Sequence, residues 1–126
     1  LITGSTGIAA ATARRAVAAG ARVFVVSRTG ENVDALVGEL RAAGGDAEGA
    51  VADLVRADQV EAAVAAAFGT FGRVDGCYNV AGISGRRFGD GPIHACTEEG
   101  WDVTLDANVK SLFLVCRAVV GRMREQ

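Results

Sequence analysis

The sequence predicts an α/β fold in which a doubly wound parallel sheet carries helices on both faces. Strand patterns and helix patterns alternate four times along 126 residues, and the clearest strand is an almost continuous run of β-branched residues. Polar or glycine-rich turns follow each strand, where sheets of this kind bind ligands. With 50% hydrophobic and 22% charged residues, the composition fits one domain with a buried core and excludes a disordered chain.

The first half of the chain predicts three strands and two helices. Residues 1–2 have the character of the end of a buried strand, and an alanine-rich helix follows from about residue 7 to residue 19. Residues 21–27 form the β-branched second strand, and residues 32–43 place apolar side chains at helical spacing. A short strand over residues 47–52 then delivers a polar turn that begins with an aspartate.

The second half predicts a helix over residues 59–68, a fourth strand over residues 74–81 and a long irregular segment over residues 82–95. Thr97 is expected to cap the last helix. The apolar residues of that helix predict a single buried face, formed by Leu105, Val109, Leu112, Phe113, Cys116, Val119 and Met123. Because no further strand follows, we expect residues 1–126 to be the N-terminal part of a longer single-domain protein.

Charge and cysteine content exclude several classes of partner. Twelve arginines and one lysine are spread along the chain and are outnumbered by 15 acidic residues, which argues against nucleic-acid binding. No apolar run reaches the ~20 residues of a membrane-spanning helix. The three widely spaced cysteines indicate reduced thiols in a cytoplasmic protein. The single histidine, His94, has no neighbours that could complete a metal shell, so no metal partner is expected.

The first turn has the features of a phosphate-binding loop. Gly4 and Gly7 let the backbone turn tightly and approach an anion, while the following helix directs its N-terminal amides and dipole toward it. Ser5 and Thr6 add hydroxyl donors. A Walker-type loop is excluded because the only lysine, Lys110, does not follow a glycine. The alternative is an ordinary glycine-rich turn.

The segment Thr3-Gly4-Ser5-Thr6-Gly7-Ile8-Ala9 resembles the cofactor loop of the short-chain dehydrogenase/reductase family. Three further matches follow in order: Asp53-Leu54, Asn79-Val80-Ala81-Gly82 and Asn108. The resemblance spans essentially the whole chain. It implies a Rossmann-type fold, of which this chain holds about four strands with the last strands missing. It also implies an NAD(P)-dependent oxidoreductase that interconverts a ketone and a secondary alcohol by hydride transfer, with 3-oxoacyl compounds among its substrates.

The resemblance assigns roles to individual residues. Asn108 is the candidate catalytic residue, since the family's helix asparagine helps to hold a proton-relay water. The candidate cofactor-binding residues are Gly4, Ser5, Thr6, Gly7 and Ile8 at the pyrophosphate, Ser27 and Arg28 at the adenosine ribose, Asp53 and Leu54 at the adenine, and Asn79, Ala81 and Gly82 near the nicotinamide ribose. A small carbonyl or alcohol substrate completes the set of partners. In the family the helix around Asn108 packs against a second subunit, so the apolar face over residues 112–120 implies a homo-oligomer.

The residues after the second strand favour NADP(H) over NAD(H). An aspartate or glutamate at this position binds the 2′-hydroxyl of NAD and would repel the 2′-phosphate of NADP. Here Ser27 and Arg28 supply a hydroxyl and a guanidinium that can bind that phosphate. NAD(H) stays open, because Arg28 can also lie over the adenine or point into solvent.

The sequence departs from the family in two ways. Only two residues separate Gly4 from Gly7, and alanines follow where a third glycine is usual, a spacing that resembles branches with sugar-nucleotide epimerases and non-catalytic cofactor sensors. In addition, the family's serine and Tyr-x-x-x-Lys are missing, since Tyr78 and Lys110 cannot form that motif. We expect these residues beyond position 126 and an inactive fragment. A non-catalytic NAD(P)-sensing module is the alternative, and an epimerase is a further one.

Overall fold

A computed structural model describes all residues, 1–126, as four parallel strands with helices between them. The strands are β1 (Ile2–Thr3), β2 (Val23–Ser27), β3 (Ala47–Val51) and β4 (Tyr78–Asn79). Their order across the sheet is β3-β2-β1-β4. The chain therefore winds outward from β1 to β3, then crosses back to add β4 on the other side of β1. The predicted parallel, doubly wound α/β fold is confirmed.

Five α-helices connect and flank the strands: α1 (Gly7–Ala18), α2 (Gly30–Ala42), α3 (Ala57–Phe71), α4 (Glu98–Leu105) and α5 (Ser111–Met123). A single turn of 3₁₀-helix occupies Gly85–Phe88, and a π-helical turn over Asp106–Lys110 joins α4 to α5. None of the helices has the length and apolar character needed to cross a bilayer.

The sheet separates two apolar cores. On one face, α1 and α2 cover β1 and β2, with Val25 and Leu40 almost completely buried. On the other face, α3 and α5 pack against β2 and the end of β3, with Val60 and Val119 at the centre. Side chains of β2 contribute to both cores, which explains its continuous run of β-branched residues.

The largest differences from the predicted element boundaries concern β4 and α3. The fourth strand is limited to Tyr78–Asn79 because β1 offers only Ile2 and Thr3 as pairing partners. Helix α3 continues through Gly69 and ends at Gly72, whose φ of 77° is the left-handed conformation that terminates helices. An isolated glycine on an exposed helix surface did not stop this helix, whereas the glycine with positive φ did.

The predicted buried face of the last helix is wrong except at Val119, which is fully buried. Leu105, Val109, Leu112 and Phe113 are 39–56% exposed, and the buried face of α5 instead consists of Ser111, Leu114, Val115, Ala118 and Val119. Helix α5 is apolar on more than one side, so helical spacing fits two neighbouring stripes. Packing against α3 selects the stripe that contains Leu114, Val115, Ala118 and Val119.

Candidate functional site

A cleft of about 680 Å³ lies at the carboxyl edge of the sheet and receives residues from the ends of all four strands. Its position spans the point at which the strand order reverses between β1 and β4. Sheets of this topology bind ligands at that point. The volume falls within the range of small-molecule and cofactor sites.

The turn after β1 brings the backbone close to the cleft. Gly4 has a φ of 96°, and a Cβ there would lie 3.1 Å from the Cβ of Ala9. Its amide donates to the carbonyl of Val26 at 2.8 Å, which ties the turn to β2. Gly7, with a φ of 52°, begins α1 with open space around its Cβ position. Both positions favour glycine for conformational reasons, and Gly4 also for steric ones.

The N-terminus of α1 is suited to an anion. Its N-cap residue, Thr6, makes no side-chain hydrogen bond to the first-turn amides, and that turn contains no acidic residue. The other α-helices that begin near a strand end, α2 and α3, carry Glu31 and Asp58 in their first turns, and α4 carries Glu98. The first-turn amides of α1 are therefore free to bind a phosphate, and the helix dipole favours it.

The residues after β2 form the next part of the cleft. Ser27 is half-buried and Arg28 is exposed, and both line it together with Thr29 and Asn32. Arg28 forms no ion pair, since no carboxylate lies within 4.0 Å of it. Its guanidinium is thus available to an anionic ligand group.

The residues after β3 combine a structural role with a place in the cleft. The Oδ1 atom of Asp53 accepts from the amide of Val55 at 3.2 Å, and the Asp53 amide donates to Oε1 of Gln59 at 2.7 Å. Asp53 therefore shapes the turn into α3, as aspartates commonly do at such positions. Leu54 is buried at the edge of the core and supplies an apolar surface beside it.

The hydroxyl of Thr3 joins β1 to the segment that follows β4. Its Oγ1 accepts from the amides of Val80 at 3.0 Å and Ala81 at 3.2 Å, and it donates to Oδ1 of Asn79 at 3.4 Å. The Nδ2 of Asn79 contacts Sγ of Cys116 at 3.4 Å. Asn79 therefore holds the sheet against α5 instead of lining the cleft.

Asn108 lies in the π turn and fixes the start of the β4–α4 connection. Its Nδ2 donates to the carbonyls of Ile83 at 2.9 Å and Thr104 at 2.8 Å, while its Oδ1 accepts from the Ile83 amide at 3.1 Å. A Cβ at Gly82 would collide with the same oxygen. The side chain thus satisfies both backbone groups of one residue in the connection, and it does not itself line the cleft.

All of the predicted site residues line the cleft except Gly7, Asn79 and Asn108. The residues that the sequence did not indicate come mainly from the β4–α4 connection and from α4, the π turn and the start of α5: Ile83, Arg87, Phe88, Asp102, Val103, Asp106, Ala107 and Ser111. The length of the glycine-rich segment is the one signal that could have indicated Arg87, since loops of that length are commonly functional. The others lie in the same loop or on helices, and only the packing of those elements brings them to the cleft.

The single tyrosine lies away from this cleft. Tyr78 contributes to a second cavity, of about 530 Å³, which is also lined by Arg22, Phe71 and Cys77. Burial raises the pKa of the Cys77 thiol, which keeps it protonated and unreactive. Neither side chain is placed to exchange a proton with a ligand in the first cleft. The structure contains no cluster of three or more His, Cys, Asp or Glu side chains that could hold a metal ion.

Comparison with known proteins agrees with this geometry. The chain matches the short chain dehydrogenase family over residues 1–126. It is 41% identical over 128 residues to the short-chain reductase protein NovJ of Streptomyces niveus, covering 100% of this chain and 47% of that protein. The chain thus spans about half the length of the curated relatives it matches.

Solved structures agree as well. A metagenomic short-chain oxidoreductase in complex with NADP has a TM-score of 0.86 at 35% identity, over 97% of this chain and 55% of that one. A structure of actinorhodin polyketide ketoreductase with NADPH has a TM-score of 0.89 at 34% identity, over 98% of this chain and 48% of that one. Sequence and structure together show that this chain belongs to the short chain dehydrogenase family.

Proposed function

We propose that residues 1–126 are the N-terminal, cofactor-binding half of an NAD(P)-dependent oxidoreductase that interconverts a ketone and a secondary alcohol by hydride transfer. The observation that carries this proposal is the N-terminus of α1, which reaches the cleft without a side-chain cap or an acidic residue. The nicotinamide ring of the cofactor supplies the hydride when bound. The chain's own residues bind and orient the cofactor.

The binding roles follow the strand ends. Gly4, Ser5, Thr6, Gly7 and Ile8 surround the pyrophosphate, whose charge the free amides of α1 stabilise. The ends of β2 and β3 bind the adenosine, and Ala81 and Gly82 border the nicotinamide ribose. Thr3 and Asn79 act indirectly, because their hydrogen bonds fix the segment that contains Ala81.

The cofactor we propose is NADP(H). Ser27 and Arg28 line the cleft where the adenosine ribose would lie, and Arg28 has no carboxylate partner that would compete with a 2′-phosphate. Two of the similar solved structures carry NADP or NADPH. NAD(H) would gain nothing from the guanidinium.

Asn108 is the candidate catalytic residue of this half. Its side chain is committed to Ile83 and Thr104, so any contact with a proton-relay water would use its backbone carbonyl. A proton donor for the developing alkoxide must come from elsewhere, because Tyr78 lines the other cavity and Lys110 pairs with Asp106 at 3.3 Å. We propose that this donor lies outside residues 1–126 and that these residues alone do not transfer hydride.

The substrate class and assembly state complete the proposal. The resemblance to a polyketide ketoreductase supports a 3-oxoacyl compound or similar ketone as substrate. The exposed apolar side chains of α5 and the π turn, among them Val109, Leu112 and Phe113, support a homo-oligomer. Three free cysteines support a cytoplasmic location.

A non-catalytic cofactor-sensing module is the second candidate. It is favoured by one observation, the absence of any tyrosine or lysine from the lining of the cleft. The two candidates predict the same cofactor binding and differ only in turnover.

The test uses the whole reading frame that encodes this chain. NADPH and NADH are titrated by fluorescence, and NADPH oxidation is followed with a 3-oxoacyl ester. We expect tighter binding of NADPH, turnover, and for Arg28→Ala an about tenfold weaker affinity for NADPH with NADH unchanged. Arg86→Ala, an exposed arginine outside the cleft, is the matched control. Binding without turnover would establish the sensing module, and no binding of either cofactor would refute both candidates.

A further inference from the structure

A second unpaired guanidinium lines the cleft, at the end away from Arg28. Arg87 belongs to the 3₁₀ turn between β4 and α4, and both Arg87 and Phe88 line the cleft. The guanidinium lies over the Phe88 ring, 4.7 Å from its centroid. No carboxylate lies within 4.0 Å of it. Stacking on an aromatic ring orients the group and leaves its N–H donors free.

The backbone that carries Arg87 is held firmly against α4. A Cβ at Gly100 would collide with the amide nitrogen of Asp90, and a Cβ at Gly85 with Oγ1 of Thr104. Both glycines are buried. The backbone of the β4–α4 connection and the backbone of α4 therefore touch directly.

Hydrogen bonds from Thr97 complete this arrangement. Its Oγ1 accepts from the Gly100 amide at 2.9 Å and donates to the Phe88 carbonyl at 2.9 Å, and its amide donates to the Gly89 carbonyl at 3.0 Å. The N-cap residue of α4 thus fixes the 3₁₀ turn that contains Arg87. Arg87 therefore projects from a preformed wall and not from a free loop tip.

The charges facing this part of the cleft come from α4 and the π turn. Asp106 is paired with Lys110 at 3.3 Å. Asp102 has no cation within 4.0 Å. Arg28 and Asp53 belong to the strand ends on the other side of β1. Arg87 is therefore the one cation that lines the cleft beyond Gly82, where the nicotinamide end of the cofactor is proposed to lie, and it has no ion-pair partner.

We propose that Arg87 is a specificity-determining residue that binds an anionic group of the substrate, a carboxylate or a phosphate. This inference rests on the proposed function, since it places the reacting ketone beside Gly82. A guanidinium binds either anion through two parallel hydrogen bonds. Phe88 holds the guanidinium plane, and Asp102 opposes the anion from α4.

The experiment compares three ketones that share one 3-oxoacyl skeleton, with the whole protein and NADPH. Acetoacetate carries a carboxylate, acetoacetyl-coenzyme A carries phosphates, and ethyl acetoacetate is neutral. The variants are Arg87→Ala, Asp102→Asn and, as a matched control on the same turn, Arg86→Ala, which lies outside the cleft. The affinities of the NADPH-loaded protein for acetoacetate and for acetoacetyl-coenzyme A are also measured directly by the change in NADPH fluorescence.

We expect Arg87→Ala to lower kcat/KM about tenfold for one of the anionic ketones and to leave ethyl acetoacetate within twofold. The affected ketone identifies the carboxylate or the phosphate as the group that is bound. Asp102→Asn should raise the ratio of kcat/KM for the affected anionic ketone to kcat/KM for ethyl acetoacetate. Arg86→Ala should leave this ratio unchanged.

If the ratio of kcat/KM for each anionic ketone to kcat/KM for ethyl acetoacetate is the same in the wild type and in Arg87→Ala, the assignment of Arg87 is overturned. The proposed function is then left intact. Failure of the wild type to reduce ethyl acetoacetate would count against the proposed function. In that case the fluorescence titration decides on Arg87, and affinities for acetoacetate and for acetoacetyl-coenzyme A that are both the same in the wild type and in Arg87→Ala overturn the assignment.

Discussion

At the scale of single residues, the site depends on side chains that never reach a ligand. Thr3 is 1% exposed, yet its hydroxyl accepts from the amides of Val80 and Ala81 and so links two neighbouring strand ends. Its motif position was predicted from the sequence, but this bridging role depends on the parallel pairing of β1 with β4. Short-range patterns identify such residues, whereas the structure reveals what they contact.

Replacing Thr3 by valine tests this link. Valine keeps the shape of threonine but leaves two amides without a partner, and each lost partner costs about 1–3 kcal/mol. We expect the free energy of unfolding to fall by about 2 kcal/mol or more in urea denaturation, with weaker NADPH binding. Thr3→Ser, which keeps the hydroxyl, should lie much closer to the wild type. Equal losses for valine and serine would show that the methyl group matters and the hydrogen bonds do not.

The Cys77 thiol gives the protein a pH dependence at alkaline pH. Burial raises its pKa, so the folded protein keeps the thiol neutral where the unfolded chain already ionises. Its contribution to stability is complete below the ordinary thiol pKa of about 8.5 and is lost as pH rises through the higher folded value. From about pH 7 to about pH 10, the urea midpoint should therefore fall less in Cys77→Ala than in the wild type. The same fall in both proteins would contradict this assignment.

At the scale of elements, the sequence was most informative about order and least about helix phase. The alternation of strands and helices, the glycine turn and the Thr97 cap were all predictable from local patterns, and the structure confirms them. The buried face of the last helix was not predictable, because α5 is apolar on more than one side and only its packing against α3 selects the buried stripe. Arg87 was missed as a cleft residue for a related reason, since only the packing of its loop on α4 brings it there.

Asn108→Ala tests the role of the π turn. Without the side-chain amide of Asn108, the backbone N–H and C=O of Ile83 lose their hydrogen-bond partner, which costs about 2 kcal/mol in unfolding free energy. We expect that loss together with faster hydrogen exchange in the connection that follows Ile83. Lys110→Ala, in the same turn with an exposed ion pair, should change the unfolding free energy by less than about 1 kcal/mol. Equal stability of the two variants would contradict this role for Asn108.

At the scale of the whole molecule, α5 and the π turn before it carry an exposed apolar surface. Val109, Leu112, Phe113 and Val120 are 46–56% exposed along one helix and turn. Exposed apolar surfaces of this kind occur at protein–protein contacts and in ligand grooves, and the proposed homo-oligomer would bury this one. None of these side chains belongs to the two cores on the sheet faces.

Phe113→Asp tests whether this surface joins subunits. Desolvating a carboxylate at an interface is costly, so we expect the whole protein to shift toward the monomer in light scattering coupled to size exclusion. Ile93→Asp, on an exposed loop with 83% of Ile93 accessible, is the matched control and should leave the assembly unchanged. A monomeric wild type would contradict the proposed homo-oligomer, and an unchanged assembly in the Phe113 variant would show that this surface is not its interface.

The central claim is that the N-terminus of α1 binds the pyrophosphate of the cofactor, and Ile8→Glu tests it most directly. Ile8 is 67% exposed in the first turn and lines the cleft. A glutamate there is favourable for the helix dipole but repels a phosphate, so folding and binding should respond in opposite directions. In NADPH titrations followed by fluorescence, we expect Ile8→Glu to bind at least about tenfold more weakly than Ile8→Gln, with a thermal midpoint no lower than that of the glutamine variant. Equal NADPH affinities of the two variants would contradict the placement of the pyrophosphate at this helix.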